Sequence, residues 1–83
     1  MKKLYHVYTT WFGEMEFFFD GKGKLLHYWA LNDANWRSEY MDPLMEALGY
    51  QVHSVEATDP RFEKKVKDVL IEMGATEEDF NEG

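Results

Sequence analysis

The chain has 83 residues, no cysteine and a formal net charge of −7. This length allows one domain with a small core, and the lack of cysteine excludes a disulfide framework. The acidic balance disfavours direct binding of DNA or RNA, because such binding draws much of its affinity from lysine and arginine contacts to phosphate. The apolar stretches fall short of the roughly 20 residues that span a bilayer. We therefore expect one compact domain over residues 1–83, without membrane insertion.

Aromatic residues and charges are distributed unevenly along the chain. Twelve of the fourteen aromatic residues fall within residues 1–50, whereas residues 51–83 contain nine acidic and four basic residues. A small domain without disulfides needs large aromatic side chains to fill its core. His6 and Glu14 interrupt the apolar segment that a secretion signal would need, and we expect a cytoplasmic protein.

Alternation of side-chain type predicts three strands in the first part of the chain. They cover Leu4–Trp11, Glu14–Asp20 and Leu25–Leu31. Residues 20–24 contain two glycines, which accept the positive φ of tight turns, so they predict a hairpin between the second and third strands.

The register of this hairpin decides which residues share a face of the sheet. A two-residue turn would place Phe19 opposite Leu26 and Phe17 opposite Tyr28. Other apolar and aromatic strand residues would then lie on the reverse face: Tyr5, Val7, Phe18 and Trp29. Both faces are apolar in this register, so we expect helices to cover one and a dimer, a partner or the acidic tail to cover the other.

Two helices are predicted in the rest of the chain, with a fourth strand, Tyr50–Ala57, between them. This strand is weakly amphipathic, which indicates a bulge or an edge position. Asn32 and Asp33 would cap the first helix, which ends before Gly49. Pro43 predicts either a bend in that helix or two short helices in series.

The second helix opens at Pro60 and ends at Gly74. Its apolar stripe consists of Phe62, Val66, Val69, Leu70 and Met73. Residues 76–83 form an acidic carboxyl-terminal tail, in which Thr76 and Asp79 match a capping box and the last residues are able to fray.

The order of these elements is βββαβα, which is typical of the α+β class. We predict a two-layer domain, with a mostly antiparallel sheet and the helices packed on one face of it.

The sequence contains no motif for catalysis or cofactor binding. His6, His27 and His53 lie on predicted strands without the spacing of metal ligands, and the predicted register turns His6 and His27 in opposite directions. Glu14 and Glu16 lie two residues apart on a hairpin, where carboxylates are usually solvent-exposed. We expect no enzymatic activity, no cofactor and no bound metal.

One side of the first helix is a candidate contact surface. It carries acidic and amide residues without a lysine: Asn35, Glu39, Asp42 and Glu46. Such a stripe is most often a solvated face, and the alternative is a contact for a basic partner. Phe18 and Trp29 on the reverse face, with Glu14 and Glu16 beside them, add aromatic anchors and negative charge.

These features predict a small acidic binding protein that occupies a basic surface of a partner protein, itself basic or nucleic-acid-binding. In size and charge the chain resembles the small acidic accessory proteins by which phages and mobile elements block a host enzyme, and this resemblance implies an inhibitor that imitates the charge of nucleic acid. The alternative is a self-associating structural module that forms a homodimer through the aromatic reverse face of its sheet.

Overall fold

A computed structural model of the chain describes residues 2–11, 13–30 and 35–80, with the backbone alone at residues 35–40. The elements follow the order βββαβα, and they form an α+β domain as predicted. The strands are β1 (Lys2–Thr9), β2 (Met15–Asp20), β3 (Leu25–Ala30) and β4 (Tyr50–Glu56). The helices are α1 (Asn35–Ala47), α2 (Pro60–Glu72) and a short 3-10 helix (Glu77–Phe80).

The four strands form one mixed sheet in the order β3-β2-β1-β4. The β1–β2 and β2–β3 pairs are antiparallel, which confirms the mostly antiparallel prediction, while β1 and β4 are parallel. A parallel pair needs a long crossover, which the chain supplies through β2, β3 and α1. β4 is an edge strand, which was one of the two alternatives predicted for it.

The β2–β3 hairpin turns through residues 21–23. The Gly23 amide donates to the Asp20 carbonyl over 3.0 Å, and Gly23 has a φ of 83°. The Asp20 carboxylate also accepts the backbone amides of Lys24 and Lys22, over 2.8 and 2.9 Å. The Lys24 amide is the largest cause that holds the pKa of Asp20 below its usual value. The loop is one residue longer than the predicted two-residue turn.

This longer loop changes the register next to the turn. Phe17 lies opposite Tyr28, as predicted, but Phe19 pairs with Leu25 and not with Leu26. The register shifts just before Phe19, so Leu26 is an extra residue in β3, and it is exposed. The bulge at Leu26 compensates for the extra residue of the loop, so Phe17 still pairs with Tyr28.

α2 packs on one face of the sheet. The central members of this core come from three elements: Val7, Phe17, Phe19, Phe62, Val66 and Leu70. The Tyr5 ring also lies 5.0 Å from the Phe62 ring. The prediction that Tyr5 and Val7 lie on the reverse face is therefore wrong. Alternation within β1 separates its two sets of side chains, but only the pairing with β2 decides which set faces α2.

Local contacts fix both ends of α2. Asp59 caps its first turn by accepting the Arg61 amide over 3.0 Å. At the other end Gly74 has a φ of 104°, and the Ala75 amide donates to the Leu70 carbonyl over 2.9 Å. This is the Schellman arrangement that a glycine after the last turn predicts.

α1 lies against the opposite face. The Asp42 Oδ2 atom of α1 is 3.5 Å from His6 Nδ1, and the side chain of His6 points away from that of its neighbour Val7. Leu4 and Phe18 on this face are also buried. The prediction that both helices share one face is therefore corrected. Both faces of β1 and β2 carry large apolar side chains, and each needs a cover.

α1 runs without a break from Asn35 to Ala47 and includes Pro43, so two helices in series are not observed. The predicted caps, Asn32 and Asp33, lie outside the described residues. No helix among the described residues combines the length and the apolar character that crossing a membrane requires.

The start of the predicted tail packs on the domain. The Thr76 amide and hydroxyl both donate to Asp79 Oδ2 over 2.9 Å, which confirms the link between the two residues. The Phe80 ring lies edge-on to Trp11, with a centroid distance of 5.2 Å. The predicted fraying of residues 81–83 falls outside the described residues.

Candidate functional site

The face of the sheet toward α1 carries a polar network centred on His6. His6 Nε2 lies 2.8 Å from Glu16 Oε1, and the two residues are only 8% and 4% exposed. The Trp29 indole N–H donates to the other carboxylate oxygen of Glu16 over 2.9 Å. With Asp42 on the second imidazole nitrogen, the network joins β1, β2, β3 and α1.

Strand register explains why these residues meet. His6, Phe18 and His27 are direct neighbours across β1, β2 and β3, so their side chains project from the same side of the sheet. The His6 ring stacks on Phe18 at 4.7 Å, and Trp29 lies 5.1 Å from Phe18. The prediction that His6 and His27 face opposite ways is therefore wrong.

In both contacts of His6, a ring nitrogen lies close to a carboxylate oxygen, of Glu16 in one and of Asp42 in the other. Neither ring nitrogen has the angles of a hydrogen bond with a described residue, although the Glu16 carboxylate is close. A buried carboxylate is stable only beside positive charge or hydrogen-bond donors, and the Trp29 indole N–H provides one such donor to Glu16. His6 is buried and contacts Asp42 of α1, so we infer that this network holds α1 in place.

A histidine metal site does not form in the described part of the chain. His53 lies on the α2 face, where its ring stacks on Tyr5 at 5.5 Å, while His6 and His27 lie on the other face. Among the described residues, no group of three histidine or carboxylate side chains is placed to hold a metal ion.

Carboxylates surround Tyr8 at the carboxyl end of β1. Tyr8 is the cross-strand neighbour of Glu16 on β2 and of Glu56 on β4. Partial burial, followed by the negative charge of Glu14, raises the pKa of Tyr8 above its usual value. Tyr8, Glu14 and Glu56 are all exposed, and we call this group the acidic end.

An open cavity of about 280 Å³ adjoins the acidic end where β1 and β4 finish. Among the described residues, its lining contains one carboxylate and no lysine or arginine: Tyr8, Thr9, Thr10, Trp11, Glu56, Ala57 and Thr58. Hydroxyl groups, aromatic edges and negative charge are thus gathered at one edge of the molecule. This composition suits a cationic side chain of a partner better than an anion.

Of the predicted site residues whose side chains the structure describes, Glu14 and Glu46 are exposed. Glu16 and Phe18 are buried, and Trp29 and Asp42 are half-buried in contacts with Glu16 and His6. Phe18, at 3% exposure, therefore offers no surface for the alternative of self-association through the reverse face.

The acidic stripe predicted on α1 is not one solvated surface. Glu46 is exposed, but Asp42 turns toward the sheet, where the buried His6 is its partner. The side chain of Glu39 lies outside the described residues. A helical wheel shows which residues share a side, but it does not show that a charged residue on that side has a buried partner on another element.

Tyr8 and Glu56 were missed by the sequence analysis, because the parallel pairing of β1 with β4 leaves no local sequence signal.

No protein-family model matches the chain, and neither a curated protein nor a solved structure is significantly similar to it. The side chains of this chain alone therefore carry the functional proposal.

Proposed function

We propose that the protein is a small acidic binding protein, not an enzyme, that acts by occupying a basic surface of a partner protein. The observation that supports this proposal is the acidic end. Exposed Glu56 is the cross-strand neighbour of Tyr8, and the charge of exposed Glu14 acts on Tyr8, next to a cavity that has no basic residue among its described lining residues. A tyrosine between carboxylates gives a partner both an amphipathic contact and an opposite charge.

The expected partner is a basic or nucleic-acid-binding protein. Carboxylates at the acidic end would take the place of phosphates on its surface, and the complex would exclude its normal anionic ligand. The net charge of −7 adds long-range attraction toward such a partner, which speeds association. Half-buried Trp29 lies on the same face and would extend the contact toward β3.

The roles of the other predicted site residues follow from their contacts. Glu16 and Asp42 act on the fold through His6, and so they position the acidic end and do not touch the partner. Glu46, which is exposed on α1, remains a second acidic contact in the proposal.

The test compares two charge-reversed variants that have the same net charge. Glu14→Lys with Glu56→Lys changes the acidic end, and Glu72→Lys with Glu77→Lys changes exposed positions of α2 and the tail. Partners are captured from cell lysate at low salt and identified, and association rates with the purified partner are then measured. We expect the acidic-end variant to associate about tenfold more slowly, within the range of electrostatic steering.

The matched variant is expected to associate at nearly the wild-type rate and to keep the wild-type salt dependence. Equal slowing of both variants would show that only net charge matters. Wild-type rates for the acidic-end variant would remove the acidic end from the contact.

A further inference from the structure

The opposite end of the sheet gathers positive charge from three distant parts of the sequence. The amino terminus of β1, the β2–β3 hairpin and α2 contribute exposed basic residues there: Lys2, Lys3, Lys22, Lys24, Arg61 and Lys65. The chain has nine lysine and arginine residues in all, so most of its positive charge lies at this end. We call this group the basic end.

Two cavities lie side by side at the basic end. The first, of about 220 Å³, is lined by Tyr5, Gly21, Lys22, Gly23, Arg61, Phe62 and Lys65. The second, of about 400 Å³, is lined by Lys2, Lys3, Asp20, Gly21, Lys22, Leu26 and Tyr50. Both contain Gly21 and Lys22, so the hairpin separates two cationic cavities that share one lysine.

The positive charge is only partly neutralised within the chain. Arg61 is paired with Asp59 over 3.0 Å. Lys2, Lys3 and Lys22 have no salt bridge among the residues that the structure describes. The lysine charges here are therefore available to an external anion.

The contacts of Asp20 and Lys65 at the basic end still leave the lysine charges available to an anion. Asp20 is the one acid in the two linings, and its Oδ1 atom accepts backbone amides of the turn. Lys65 Nζ donates to the Gly23 carbonyl, which holds the ammonium group beside the turn without removing its charge.

We propose that the basic end binds a compact ligand with two or three linked phosphate groups. One cavity would take the first phosphate group and the other cavity the next, with Lys22 between them. Small adjoining cavities lined by ammonium groups suit several anionic groups at short spacing. The two tyrosines of the linings are half-buried: Tyr5 lies beside Arg61, and Tyr50 lies beside Lys2. The lysines are therefore the main contacts for the ligand.

The overall charge decides between a compact phosphate ligand and a nucleic acid. A strand longer than the basic end would bring its further phosphates against a molecule of net charge −7. Exposed charges act over about 8 Å at physiological ionic strength, so a compact ligand meets the basic end without meeting the acidic end. This site goes beyond the proposed function and involves none of the residues of the acidic end.

The experiment titrates the whole chain with inorganic triphosphate by calorimetry, and it follows backbone amide shifts by NMR. We expect saturable binding with the largest shifts at residues 21–24. Lys22→Glu should weaken binding about tenfold, because it replaces attraction by repulsion at contact distance. This variant keeps the Lys22 backbone amide that donates to Asp20, and thermal unfolding checks that its fold is retained.

Lys64→Glu is the matched control, because it makes the same change of net charge at an exposed residue beside Asp68 and Glu77. It should alter the affinity by less than about twofold at physiological ionic strength, where screening is strong. Equal weakening by the two variants would overturn the site, and so would the absence of saturable binding by the wild-type chain.

Two further ligands distinguish the sources of the phosphate groups. Adenosine triphosphate with the affinity of inorganic triphosphate would support recognition of phosphate alone, and tighter binding would support a nucleotide that also contacts Tyr5 or Tyr50. A single-stranded oligonucleotide that binds more tightly than both would overturn the proposal in favour of a nucleic-acid surface.

Discussion

The two faces of the sheet are buried by different means. Val7 and Phe17 on the α2 face are 0% exposed, and they pack against apolar side chains of α2. On the α1 face, His6 is nearly as buried, but it contacts Glu16 and Asp42. Apolar packing tolerates many partners of similar volume, whereas a buried charge needs particular partners. We infer that the α2 face supplies most of the stability and that the α1 face fixes where α1 lies.

The largest expected effect is on the α2 face. Phe19→Ala removes a ring that is 0% exposed and lies 5.0 Å from the Phe62 ring. The free energy of unfolding should fall by about 3–5 kcal/mol, the usual cost of an aromatic residue in a core. Urea denaturation measures it. Leu48→Ala, at a residue that is 64% exposed, is the control and should change it by less than about 0.5 kcal/mol.

The stability contributed by the α1 face should depend on side-chain charge and not only on side-chain volume. His6→Leu leaves the buried carboxylate of Glu16 without its imidazole partner, which should cost about 3 kcal/mol of unfolding free energy. Adding Glu16→Gln removes the stranded charge, while the side-chain carbonyl still accepts the Trp29 indole N–H. The double variant should therefore be more stable than His6→Leu alone.

A double-mutant cycle by urea denaturation measures this recovery. If Glu16→Gln only adds to the loss of unfolding free energy caused by His6→Leu, then charge does not distinguish the α1 face from the α2 face.

The smallest expected effect concerns Tyr8 at the margin of the α1 face. Because its pKa is raised in the folded state, Tyr8 holds its proton more tightly there than in the unfolded chain. This adds stability that is fully present below about pH 10 and is lost as the pH rises through the raised pKa. Glu14→Gln should lower the pKa of Tyr8, which then stays above its usual value because partial burial is the larger cause.

An alkaline titration followed by NMR of the tyrosine rings measures this shift. Glu72→Gln, at an exposed position of α2, should leave the titration of Tyr8 unchanged. A titration of Tyr8 that does not respond to Glu14→Gln would show that the Glu14 carboxylate does not influence Tyr8 in solution.

Local patterns predicted the parts of the fold that depend on neighbours in sequence. The apolar stripe of α2 buries Phe62, Val66 and Leu70, although Met73 at its end is 52% exposed. Gly74 ends this helix as expected, because a left-handed residue is a local requirement. The three strands of the meander lie within two residues of their predicted bounds.

Contacts between distant residues were not predictable in the same way. The faces of Tyr5 and Val7 depend on the register with β2, and a hairpin loop longer by one residue moved the pairing of Phe19. The contact of Asp42 with His6 depends on where α1 lies, which its own periodicity does not give. The basic end went unseen for the same reason, since the lysines of β1, the hairpin and α2 meet only in the folded chain.

The parallel pairing of β1 with β4 has a kinetic consequence. β1, β2 and β3 are joined by short turns, whereas Lys2 meets Tyr50 only after nearly fifty residues of chain have closed into a loop. Hairpins form in microseconds, but contacts between distant residues must overcome the entropy of loop closure, which slows folding. The cavity that contains Lys2 and Tyr50 is therefore completed late in folding. Ligand binding at this cavity would indicate that β4 has paired with β1.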